Sequence, residues 1–109
     1  MQQASNFTHL SANQLAEQLG EDHYVVLDIR DANTFNQGRI PGAIHLTNEN
    51  LADFMREADF DKPTVVCCYH GISSQPAADF LHNQDFSDVY SLDGGFVQWQ
   101  QLYPEHIEK

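Results

Sequence analysis

The chain has 109 residues, sixteen of them acidic against five basic, giving a formal net charge of −11, with 41% hydrophobic residues. That length suits a single domain spanning residues 1–109 around one core, and the charge argues against nucleic acid and anionic membranes as partners, because both require clustered Lys and Arg. No apolar run approaches the ~18 residues of a bilayer span, mean hydropathy is −0.48, and the opening MQQASNFTHL lacks the basic start and apolar middle of a signal peptide, so a cytoplasmic protein is expected.

Phe7-Thr8-His9-Leu10 reads as a short opening strand. Ser11 and Gln14 have the spacing of a capping box, followed by Leu15 and Leu19 on one helical face and Gly20 as the stop, which predicts a helix of about two turns. Tyr24 to Ile29 is a continuous apolar run of the kind a strand buried on both faces requires, and Ala43 to Leu46, Thr64 to Cys68 and Val89 to Leu92 are similar. Between them, Leu51, Phe54, Met55 and Ala58 fall at helical spacings, as do Ala77, Ala78, Phe80 and Leu81 after Pro76. Buried strands alternating with helices predict a parallel α/β sheet, whose ligands bind beyond the carboxyl ends of the strands.

Cys67 and Cys68 are the only cysteines. Their Cα atoms are held about 3.8 Å apart, too close for an unstrained disulfide, so both are expected as free thiols. Side chains alternate along a strand, so only one can face a given pocket. Cys67 continues the apolar run and reads as core, whereas Cys68 ends the strand ahead of Tyr69, His70, Gly71, Ile72, Ser73 and Ser74 and of a helix expected to begin around Pro76. A strand, a glycine turn and a helix start form an anion site from converging backbone N–H groups and the positive helix end. An ordinary cysteine titrates near roughly 8.5, and the helix end alone supplies about 0.3–1 kcal/mol, so loop amides bonded to the sulfur must supply the rest of its activation. A cysteine phosphatase would need an arginine six residues past the nucleophile to clamp phosphate; Ser74 stands there, or Ser73 counted from Cys67.

Asp28-Ile29-Arg30-Asp31, then Phe35, Gly38 and Ile40-Pro41-Gly42-Ala43-Ile44, resembles the first signature of rhodanese domains. Leu92-Asp93-Gly94-Gly95-Phe96 with Trp99 resembles the second, and Cys68 to Ser74 is similar to the active-site loop of single-domain bacterial thiosulfate sulfurtransferases. The resemblance implies a five-stranded, mostly parallel sheet with helices on both faces. It also implies a two-step reaction: the Cys68 thiolate takes the outer sulfur of thiosulfate, releasing sulfite, and the persulfide passes that sulfur to cyanide or to a thiol such as reduced thioredoxin. Cys68 is then the catalytic nucleophile, and Tyr69, His70, Gly71, Ile72, Ser73 and Ser74 form the substrate-binding loop. Ser73 and Ser74 have two readings, as hydroxyl donors to substrate or persulfide and as helix caps. His70 adds positive charge when protonated, but the chemistry requires no histidine base.

Gln75 stands where that family often has a lysine, and Pro76 follows it, so a positive side chain that would help draw in thiosulfate is missing. Asp28 and Arg30 are expected to pair structurally, Gly94-Gly95 to allow a close backbone approach, and Trp99 to lie in the core. The six histidines have no zinc spacing, so neither metal nor cofactor is expected. A monomer or weak homodimer follows from the absence of any obligate-interface signal. Two other functions fit the same residues: a non-catalytic rhodanese module that binds a partner or senses oxidants, and a carrier of sulfur between proteins.

Overall fold

The structure, a computed structural model, describes residues 7–21 and 23–109. Strands and helices alternate throughout: β1 (Thr8–Leu10), α1 (Ala12–Glu17), β2 (Val25–Asp28), α2 (Ala32–Gln37), β3 (Ile44–His45), α3 (Leu51–Glu57), β4 (Thr64–Cys67), α4 (Ser74–Asn83), β5 (Val89–Leu92) and α5 (Gly95–Leu102). The five strands form one sheet in the order β1-β5-β4-β2-β3, and every pairing is parallel. None of the helices among the described residues is long and apolar enough to cross a membrane.

β4 is central and every one of its residues is buried, which accounts for its unbroken apolar sequence. The edge strands β1 and β3 are short and partly exposed. Alternation along β4 sends Val65 and Cys67 to one face and Val66 to the other, so apolar side chains gather in two clusters rather than the one core that length suggested. One cluster joins Leu10, Leu15, Val65, Cys67, Phe96 and Trp99 beneath α1 and α5. The other joins Leu27, Val66, Ala78, Leu81, Phe86 and Val89, with Phe54 and Met55 of α3 packed against it.

The capping box forms as expected: Ser11 Oγ accepts from Gln14 N at 3.1 Å and Gln14 Oε1 accepts from Ser11 N at 2.9 Å. Two helices lie outside the apolar periodicity read from the sequence. α2 has no buried residue, and α5 starts in a Gly-Gly pair with its left-handed cap at Gly94, φ +74°. α4 begins two residues earlier than expected, at Ser74, with Pro76 in its first turn. The proline costs no helical bond there, because the first N–H groups of a helix have no acceptor within it.

Candidate active site

Three loops meet at the carboxyl end of the sheet: β2 to α2, β4 to α4 and β5 to α5. The two cysteines diverge there. Cys67 is fully buried in the cluster under α5, and burial first, then the nearby Asp28 carboxylate, push its thiol far above the ordinary range. Cys68 follows the last β4 residue and retains only 4% exposure. Both are free thiols.

The loop from Cys68 to Ser74 closes around its own sulfur. Gly71, at φ +83°, turns the chain back. Gly71 N and Ser74 N each donate to Cys68 Sγ at 3.2 Å, and Ser74 Oγ lies 3.3 Å from it. Burial is the largest influence on this thiol and pushes it up. The Ser74 hydroxyl and the N–H groups of Ser74, Gly71 and His70 together outweigh burial and hold Cys68 below its ordinary value.

The amides point inward because neighbouring elements hold the carbonyls. Ile29 N donates to Cys67 O at 3.0 Å, Phe96 N to Cys68 O at 2.8 Å and Val97 N to Tyr69 O at 3.0 Å. Gln75 Nε2 holds Gly71 O at 2.8 Å. The first amides of α5 are therefore spent on the cysteine loop, and the backbones approach closely at Gly95 (φ +58°). A Cβ there would stand 2.4 Å from Tyr69 O and 2.5 Å from Cys68 O, a contact only glycine permits.

Asp28 and Arg30 form a buried, forked pair: Arg30 Nε lies 3.0 Å from both Asp28 carboxylate oxygens, and a terminal nitrogen lies 2.7 Å from Oδ2 and 2.8 Å from Gly38 O. The guanidinium carbon lies 4.1 Å from the Phe96 ring centre. Arg30 thus ties the first turn of α5 to the loop after α2, with its charge paired to the Asp28 carboxylate.

The remaining loop residues are placed differently from one another. Tyr69 leans away from the sulfur and donates its hydroxyl to Asp31 Oδ1 at 2.8 Å, beside Thr34 Oγ1. Hydrogen bonds from the Thr34 hydroxyl, then Tyr69, then Thr34 N–H hold Asp31 at about 2. His70 and Ser73 are exposed, and Ile72 is 71% exposed. Ser73 is the N-cap of α4 but makes no side-chain capping bond, whereas Ser74 is fully buried against the sulfur. Ser74 Oγ in turn lies 2.8 Å from Ser91 Oγ on β5. Sequence reasoning missed Ser91; a polar residue inside the buried run Val89–Leu92 was the available signal. A cleft of about 750 Å³ opens nearby between α4 and the loops after β2 and β3, but Cys68 does not line it. Among the described residues no three His, Cys, Asp or Glu side chains gather as metal ligands.

The family model described as Rhodanese-like domain matches residues 11–102. The thiosulfate sulfurtransferase GlpE of Shewanella oneidensis is 57% identical over 97 residues, covering 89% of this chain and 96% of that one. Among solved structures, reduced Bacillus anthracis CoADR-RHD superposes with a TM-score of 0.81 at 26% identity, over 95% of this chain and 18% of that much longer one. A rhodanese-related protein from Thermoplasma volcanium superposes with a TM-score of 0.74 at 27% identity, over 88% of this chain and 93% of that one.

Proposed function

The chain belongs to the rhodanese family, and on that premise we propose that it is a sulfurtransferase in which Cys68 carries the sulfane sulfur of thiosulfate to cyanide or a thiol. The observation that carries this reading is the cradle around Cys68 Sγ, with two N–H groups at 3.2 Å and the Ser74 hydroxyl at 3.3 Å.

The Cys68 thiolate attacks the outer sulfur of thiosulfate along the S–S axis. The new Cys–S bond forms as the old S–S bond breaks, the bonding pair leaves on sulfite, and Cys68 becomes a persulfide anion. Cyanide or an acceptor thiolate then attacks the terminal sulfur, and the pair of the Cys–S bond returns to Cys68 as thiolate. Each half is a displacement without proton transfer once the thiol is ionised, which is why neither His70 nor any other base need reach the sulfur. Inward amides serve both states, because each places one negative charge in the loop. With a dithiol acceptor, the second thiol displaces the transferred sulfur as sulfide and the dithiol is oxidised to a disulfide. The exposed Ile72 and the 42% exposed Tyr69 give the cysteine loop apolar outer surface, which supports a protein dithiol, such as thioredoxin, as one acceptor.

The absence of an arginine at the position of Ser74 argues against phosphatase chemistry in the same loop. The experiment is intact-mass measurement after thiosulfate treatment. Wild type and Cys67→Ser gain one sulfur atom that cyanide removes; Cys68→Ser gains none. No gain in wild type, or loss of the gain in Cys67→Ser, refutes the assignment.

A further inference from the structure

We propose that Ser91, fully buried on β5, is a positioning residue that aims the Ser74 hydroxyl at the Cys68 sulfur and so favours the thiolate. The two serines and the cysteine form a chain, with 3.3 Å from Cys68 Sγ to Ser74 Oγ and 2.8 Å from Ser74 Oγ to Ser91 Oγ. Ser74 and Ser91 are both fully buried, and Ser74 Oγ is the one hydrogen-bond partner of the Ser91 hydroxyl among the described residues.

Counting protons gives the chain a direction. If the thiol donates to Ser74 and Ser74 donates to Ser91, the Ser91 proton is left inside the protein without an acceptor. If Ser91 donates to Ser74 and Ser74 donates to sulfur, both hydroxyl protons are used and the chain ends on sulfur as acceptor. A neutral thiol accepts only weakly and still has its own S–H to place, whereas a thiolate accepts strongly and has none. A buried donor without a partner is costly, and a hydrogen bond to a charged acceptor is among the stronger ones, so both effects favour ionisation. Donation from Ser91 also polarises the Ser74 O–H, strengthening its bond to sulfur. Backbone amides cannot be switched in this way; the hydroxyl pair is the one part of the cradle whose polarity follows the charge on sulfur.

The inference deepens the proposed role of Cys68 and rests on it, but its test reads the thiolate by alkylation and needs no sulfur transfer. The rate of Cys68 carboxamidomethylation by iodoacetamide is followed against pH by intact mass. Ser91→Ala is expected to move the midpoint upward and slow alkylation about threefold below it, with the high-pH plateau unchanged; Ser74→Ala is expected to slow it about tenfold. Because Ser91 acts through Ser74, adding Ser91→Ala to Ser74→Ala should produce no further change. A wild-type profile in Ser91→Ala overturns the proposal, as do additive effects in the double variant. Ser91→Thr, which keeps the hydroxyl, should restore the midpoint; if it behaves as Ser91→Ala does, the effect is one of packing and the proposal fails. Loss of persulfide formation with these alkylation results intact would count against thiosulfate as donor, not against Ser91.

Discussion

The turns from β4 to α4 and from β5 to α5 are built alike and used oppositely. Each leaves a buried parallel strand, bends at a glycine with positive φ and enters a helix of eight or more residues. At α4 the N–H of its first residue, Ser74, and that of Gly71 in the preceding loop converge on the Cys68 sulfur. At α5 they are consumed by the carbonyls of Cys68 and Tyr69. The third turn, from β2 to α2, supplies its own anion, the Asp31 carboxylate bonded to Thr34 N. Three helix ends at one edge of the sheet thus hold the Cys68 sulfur, a loop and a resident carboxylate. The second arrangement makes the first possible: by fixing the carbonyls outward it leaves only donors facing Cys68. This is how a chain of charge −11 holds the Cys68 thiol below its ordinary value with hydrogen-bond donors of the loop alone.

The sharpest way to break the pairing of the two turns is Gly95→Ala. The left-handed φ costs an alanine about 1–2 kcal/mol, and the added methyl would overlap two backbone oxygens at 2.4 and 2.5 Å, so the loops must separate. We expect a loss of about 3 kcal/mol of stability in urea unfolding and, from a shift of the order of 1 Å in the cradle, a loss of about 100-fold in sulfur transfer. Gly20→Ala is the control. It has the same kind of φ, +86°, but nothing within 4 Å, so it should cost only about 1 kcal/mol and leave turnover unchanged. Equal activity losses in the two variants would mean that the α5 clamp does not position the cysteine loop.

The difference between these turns was only partly legible in the sequence. The buried strands and the separation of Cys67 from Cys68 follow from apolar runs and period-two alternation, both local properties. The strand Val89–Leu92 has the bounds expected of it, and the Ser11–Gln14 box forms. α2 escaped because its residues ANTFNQ bury nothing and show no helical stripe. α5 escaped because its Gly-Gly start reads as a loop, although Phe96 and Trp99, three apart and buried, mark its inner face. Gly94-Gly95 did signal a close approach. What it approached, and the meeting of Ser91 with Ser74 across 17 residues, depend on β4 and β5 being neighbours, which no local pattern encodes.

A smaller effect is expected where α4 meets solvent. Gln75 is uncharged and holds Gly71 O, and so belongs to the cradle. Gln75→Lys can keep a donor at that oxygen and add a charge near the sulfur. We expect KM for thiosulfate to fall about threefold in low salt, with kcat changed less than about twofold, because attraction of a dianion from bulk acts mainly on capture. The gain should vanish near 1 M salt, where the screening length is about 3 Å. A gain that persists at high salt would indicate a direct contact with bound thiosulfate, and a fall in kcat would show that the Gln75 amide cannot be replaced as the anchor of Gly71.

The smallest effect belongs to the turn that carries its own anion. Asp31, held at about 2 chiefly by the Thr34 hydroxyl and then by Tyr69, has a folded-state pKa below its unfolded one. Its contribution to stability is therefore fully present above the ordinary carboxylate value near 4 and is lost as pH falls through about 2. Asp31→Asn keeps a good N-cap and a group for Tyr69 to bond, but has no charge to lose. The variant should melt no more than a few degrees below wild type at neutral pH, and the gap should close between about pH 4 and pH 2 as the wild-type carboxylate is protonated. Cys68 alkylation at neutral pH should stay within about twofold of wild type, because Tyr69 Oη meets α2 while its backbone carbonyl is held separately by Val97 N. A larger drop in alkylation would mean that the α2 turn, and not only the α5 turn, sets the direction of the loop amides.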